Sequence, residues 1–242
     1  MNIRYWFILV TFVAMLFGAV PLMFLFIGLG VTDQNLLVGY STVVSYIIGT
    51  LIIFGLLIPD MRKGNLDRNR STAGMTVVWS LAGVFLVFAA QYIAALIEVF
   101  VFGIEPGSEN TENLVELSRA FPFMIVVIAI LGPIIEEIVF RKVLFGSLYK
   151  KMNFFFASTI SSLIFAAAHW DFTHLLVYLC MGYAFAFLYV ISKRIIVPII
   201  AHIALNSFVV LVQVIFYDFF QDLMEQYNIQ EALILVLKII GG

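Results

Sequence analysis

A chain of 242 residues that is 63% hydrophobic and only 12% charged departs from soluble domains, which average about 45–50% and 25%. No long stretch is polar enough to fold in water, so composition excludes a soluble enzyme on an anchor. It specifies an all-α, polytopic bundle of transmembrane helices, with residues 1–242 as a single integral membrane domain. The net charge of −2 and the absence of a basic stripe exclude a nucleic-acid partner, and a lone cysteine, Cys180, excludes an intrachain disulfide or a thiolate metal cluster.

The first apolar run, residues 5–30, is too long for the roughly 7–15-residue core of a signal peptide. It is expected to persist as one spanning helix. A second span is expected over residues 36–58, closed by Pro59, before the most polar segment of the chain, residues 60–70. The third span, residues 74–102, contains Gln91 and Glu98. Gln91 is expected to bond a neighbouring helix and Glu98 to lie near the interface, with lining of the interior as the alternative. These three N-terminal spans, residues 1–103, carry no usable motif. In the acidic loop 105–119, Leu114, Leu117 and Phe121 recur at helical spacing, which predicts a segment lying on the membrane surface.

Four further spans are expected over residues 123–149, 153–169, 174–191 and 195–217. The fifth places Ala157, Ser158, Ser161, Ser162 and Ala166 at four-residue spacing, which lets helix backbones approach closely. Residues 229–240 are apolar but short, either a tilted eighth helix or an interfacial one, so seven to eight spans are expected. Basic residues (Arg4, the 60–70 loop, Lys150-Lys151, Lys193-Arg194) and acidic ones (Asp33, the 105–116 loop, Asp171, residues 218–225) occupy alternate connections. By the positive-inside rule the N-terminus is cytoplasmic.

Chemistry concentrates in the fourth span, at Gly132-Pro133-Ile134-Ile135-Glu136-Glu137-Ile138-Val139-Phe140-Arg141. An ionised group at the centre of a membrane helix costs roughly 2.5–3.5 kcal/mol on insertion scales. Glu137 and Arg141 stand four apart, acid first, and can pair on one face. Glu136 lies about 100° round the axis, free to point elsewhere. The pattern suggests a structural Glu137–Arg141 pair with Glu136 as the working group, or one buried structural network. His169 closes the fifth span, and alone would read as an interface residue. His202 and Asn206, four apart in an apolar helix, share a face and imply a common cavity or polar partner. His174 follows the 170–173 connector and is assigned to the interface.

Together these residues resemble the three-motif signature of the CAAX-protease and bacteriocin-processing family (CPBP, or Abi), and are similar to the type II prenyl endopeptidases. The motifs are Glu136-Glu137 with Arg141, Phe165 with His169, and His202 with Asn206, in order on three spans; they mark residues 122–217 as a catalytic core. The resemblance implies an all-helical intramembrane endopeptidase. It implies Glu136 as catalytic base, His169 and His202 as further site residues, Asn206 as oxyanion donor, and Glu137, Arg141 and Phe165 as site support. It also implies cleavage of a lipidated protein or maturation of a small membrane-associated peptide, in contact with membrane lipid.

The residue chemistry agrees. A carboxylate in a low-dielectric cavity suits a general base near neutral pH. An amide such as Asn206 can donate to a developing oxyanion. No Ser or Cys is placed with a histidine to form a nucleophile triad. The preferred mechanism needs no cofactor. The alternative is zinc held by Glu136, His169 and His202, although the HExxH helix is absent. Two other functional classes remain: an ion or proton transporter using the Glu/His cluster, which would call for internal repeats, and a non-catalytic immunity or scaffold protein. Helical rise sets a test for any shared site. From the basic helix ends, Glu136, His169 and His202 lie about 21, 27 and 12 Å along their spans, so straight upright helices would keep them apart.

Overall fold

The computed structural model describes residues 1–63, 70–217, 219 and 222; the expected stretch 229–240 and most of the 60–70 loop lie outside them. The described residues are helical, with no strand. The elements are α1 (Ile3–Phe17), α2 (Ala19–Gly28), α3 (Gln34–Lys63), α4 (Ala73–Phe102), α5 (Glu109–Ala120), α6 (residues 124–148), α7 (Phe154–Ala168), α8 (Leu175–Ser192) and α9 (residues 196–215). Among the described residues four helices are long and apolar enough to cross a membrane, or five if α1 and α2 count as one bent span. The expected seven are reached only if α6 and the 15-residue α7 cross as well. Side chains such as Phe24, Phe85 and Phe100 are more than 70% exposed, a surface suited to lipid and not to water. The chain is an integral membrane protein.

The single helix expected over residues 5–30 is instead two, bent by 46° at Gly18. A Cβ on Gly18 would lie 2.6 Å from Ser45 Oγ, and that hydroxyl donates to Met15 O at 2.7 Å. Pro21, in the first turn of α2, has no N–H to continue the helix across the break. Pro59 does not end α3 as expected, since the helix runs on to Lys63. Arg4 ties the two ends together, donating to Leu56 O (3.2 Å) and Asp60 Oδ1 (2.9 Å).

The 105–119 loop holds the helix that its spacing predicts, α5, capped by Ser108 and in contact with α3, α6 and α9. Leu114 and Leu117 pack with Phe121, Met124 and Val127, and Phe121 covers Gly39, where a Cβ would come within 2.5 Å of the ring.

α4 packs between α8 and α9, with Gly83 admitting Leu188. α7 and α8 approach through the small residues of the fifth span: Ser158, Ser161 and Ser162 are fully buried, and a Cβ on Gly182 would lie 2.3 Å from Ser162 Oγ. The main core, from Ile8 and Phe12 through Phe140, Phe165 and Phe185 to Leu205, joins α1, α3, α4 and α6–α9.

Candidate active site

The site begins with an irregularity in α6. This helix changes register twice, with π-helical turns at Val127–Leu131 and Glu137–Phe145. In the first, Gly132 donates its N–H five residues back, to Val127 O. The next donor in that register belongs to residue 133, a proline, which has none. The carbonyl of Ile128 is thereby left without a helical partner, a costly state for a buried acceptor. Asn206 Nδ2, arriving from α9, donates to it at 3.0 Å. A Cβ on Gly132 would sit 3.1 Å from Val127 O and 3.7 Å from Glu136 Oε1, so its absence leaves room for the π turn and the glutamate.

The second register change falls between the two glutamates. Glu136 is the last α-helical residue and Glu137 the first π-helical one, and their side chains diverge. Glu137 is fully buried and faces two partners. Its Oε2 lies 3.2 Å from Arg141 Nε and its Oε1 accepts from His202 Nδ1 at 3.0 Å. Arg141 is also fully buried, and Nη1 and Nη2 have no hydrogen-bond partner. Its charge is met by Glu137 and by the ring faces of Phe165 (4.7 Å) and Phe185 (5.3 Å).

Both histidines are anchored through Nδ1. An ionised carboxylate only accepts, so His202 carries its proton on Nδ1, toward Glu137. His169 Nδ1 lies 2.8 Å from Phe165 O, an acceptor too, so it donates there. The Nε2 atoms of both rings face the same atom, Glu136 Oε2, at 3.8 Å from His169 and 3.7 Å from His202. Rings fix the orientations. Phe185 stacks on His202 (4.6 Å, 25°), Phe165 meets His169 edge-on (4.6 Å), and Tyr178 also packs on His169 (4.4 Å, 32°).

Glu136, His169, His202 and Asn206 line one cavity of about 360 Å³, with Tyr46, Gln91, Asn110 and Tyr178 also on its walls. The separations set by helical rise have thus been overcome: residues from three spans converge on one carboxylate oxygen. Glu136 Oε2 is buried and makes no hydrogen bond within the protein. At 3.7–3.8 Å the imidazoles are too far to bond it directly and at a distance one water can bridge. Among the described residues, no three His, Cys, Asp or Glu side chains are grouped so as to hold a metal ion.

The structure adds residues that sequence reading did not single out: Tyr46 and Tyr178 on the cavity wall, and Phe185 stacked on His202. Aromatic residues are too common in this chain, at 16%, for any one of them to signal a site. His174 and Glu98, assigned to the interface, are instead buried against each other.

Residues 118–208 match the Rce1-like family of type II CAAX prenyl endopeptidases. The chain is 43% identical to a Bacillus subtilis (strain 168) protein named "Putative membrane peptidase YdiL", across 97% of this chain and 98% of that one. It is 37% identical to the "Membrane-embedded CAAX protease MroQ" of Staphylococcus aureus (strain USA300), across 74% of each chain. No solved structure matches it.

Proposed function

The chain belongs to the Rce1-like family of type II CAAX prenyl endopeptidases, and we propose that it is a glutamate-dependent intramembrane endopeptidase whose water-activating base is Glu136. One observation carries the reading: two histidine Nε2 atoms, each fixed by a bond at Nδ1, face a buried carboxylate oxygen in a cavity. A water held between them gives one hydrogen to Glu136 and the other to an imidazole. As the water oxygen adds to the scissile carbonyl, Glu136 takes its proton. The carbonyl oxygen becomes an oxyanion and accepts from the second N–H of Asn206, whose first is held by Ile128 O. When the carbon–nitrogen bond breaks, the proton on Glu136 passes to the leaving amine.

In this reading Glu137, Arg141 and Phe165 hold the site and do not react. Residues 122–217 form the catalytic core on the scaffold of residues 1–103. The substrate is a lipidated or small membrane-associated peptide or protein, in keeping with the CAAX protease name of the staphylococcal relative. The N-terminus is cytoplasmic, as the loop charges indicate.

The test compares the membrane peptides of cells carrying the native protein with those carrying Glu136→Gln at equal folded abundance. A precursor that accumulates uncleaved in the variant is the expected result. Identical peptide profiles, with the native protein folded and abundant, would refute the proposal.

A further inference from the structure

Glu98 and His174 form a second buried polar cluster, away from the cavity wall. Glu98, near the end of α4, is 1% exposed and does not line the cavity. All its acceptor capacity is directed at the start of α8. Oε1 accepts from the backbone N–H groups of Leu176 (3.0 Å) and Val177 (3.2 Å), and Oε2 accepts from His174 Nδ1 (2.8 Å). The first N–H groups of a helix have no partner within it, and His174, at the N-cap of α8, supplies no side-chain cap. A carboxylate from another span takes that place, where the helix dipole favours negative charge.

The consequence reaches His169. Four residues separate His169 from His174, and the connection is tight: Trp170 adopts φ +56° and Asp171 Oδ1 accepts from His174 N at 3.3 Å. One turn into α8, Tyr178 N donates to His174 O, and the Tyr178 ring lies 4.4 Å over the His169 ring. His169 itself stands at the C-cap of α7, where the chain leaves the helix. Its ring is packed by Phe165 and by Tyr178. Tyr178 is in turn held by the start of α8 and by its hydroxyl, 3.4 Å from Ser108 Oγ.

We infer that Glu98 is a positioning residue for the site: by pinning His174 and the first turn of α8, it holds Tyr178 against His169 and keeps His169 Nε2 aimed at Glu136. The inference rests on the proposed site, but its main readout does not need catalysis. In Glu98→Gln the new NH₂ group faces N–H donors whichever way the amide turns, so the clamp loosens while the side-chain volume stays the same. Displacing an active-site group by about 1 Å can cost 10²-fold in rate.

The experiment is histidine-selective ¹⁵N NMR of the full chain in lipid nanodiscs. The chain has three histidines, so each ring can be assigned by single substitution. Glu98→Gln is expected to shift or broaden the ring nitrogens of His174 and His169 and to leave those of His202 in place. Glu136-dependent cleavage per folded molecule should fall roughly 10–100-fold. His174→Gln, which keeps a side-chain N–H for Glu98, should retain the native His169 signals, and His174→Leu should not. If Glu98→Gln fails to fold, the His174 pair decides. Unmoved His169 signals in Glu98→Gln, or in His174→Leu, would overturn the inference, as would a loss of thermal stability alone with native His169 signals. A fully active Glu136→Gln would instead remove the proposed site, and the NMR result would distinguish that failure from this one.

Discussion

Glu137→Gln separates the supporting glutamate from the working one. Glu137 and Arg141 are both fully buried, 3.2 Å apart, and the two Nη atoms of Arg141 have no hydrogen-bond partner. A glutamine can keep its amide oxygen on His202 Nδ1, but its NH₂ then faces the guanidinium. Arg141 would be left as an uncompensated buried charge, which costs about 3–5 kcal/mol. At roughly 2–4 °C per kcal/mol for a chain of this size, the melting temperature should fall by roughly 6–20 °C. Removing both charges is different, because replacing a whole buried pair by apolar groups of similar volume is close to neutral. Glu137→Gln with Arg141→Met should therefore recover most of the loss. Thermal unfolding of the four proteins in nanodiscs, with cleavage scored per folded molecule, measures both. A single mutant that melts within about 2 °C of the native protein, or a double mutant whose losses simply add, would refute the pairing energetics. If Glu137→Gln folds well and is dead while Glu136→Gln is active, the two glutamates have exchanged roles.

Asn206→Ala should lower kcat by roughly 10²–10³ with little change in KM, and Asn206→Asp should be at least as damaging; near-native turnover of folded Asn206→Ala would remove it from the catalytic set. The same change strips Ile128 O of its donor, so stability should also fall, by about 1–3 kcal/mol in chemical or thermal unfolding. Purified protein should keep its activity in chelator and carry substoichiometric zinc; one tight zinc per chain, with activity restored only by metal after stripping, would favour zinc held by Glu136, His169 and His202. Cysteines placed at the exposed Lys150 and Glu109 of a Cys180→Ala chain should label from opposite faces of the membrane; labelling from one face would overturn the proposed orientation.

The helical, membrane-embedded class was legible because hydrophobic runs and loop charges are properties of single segments. The Glu137–Arg141 contact was legible for the same reason: four-residue spacing in one helix is local. Three features were not. The bend at Gly18 depends on Ser45, 27 residues away, occupying the space a Cβ would need and bonding Met15 O. The burial of His174 depends on Glu98 in a different span, and to sequence alone a histidine beside a polar connector looks interfacial. The contact of α5 with α3 depends on Phe121 fitting over Gly39. In each case the deciding partner is remote in sequence, and the pattern around the residue itself is unremarked.

The convergence of Glu136, His169 and His202 is the sharpest instance, because helical rise argued against it. A regular α6 would carry successive side chains round its axis in 100° steps and would use every carbonyl internally. The Gly132-Pro133 pair breaks both conditions. Proline supplies no N–H, so the π register leaves Ile128 O open, and only a donor from another helix can close it. Asn206 is that donor, one turn beyond His202 on the same face of α9. The bond to Ile128 O therefore fixes α9 along α6 at the level where His202 reaches Glu137 Oε1 and turns its Nε2 to Glu136. Pro133 is, in this fold, the reason a residue from α9 must dock on α6. Asn206 thus has two duties, holding α9 in register through one N–H and offering the other to the cavity, which is why its loss should lower both stability and kcat.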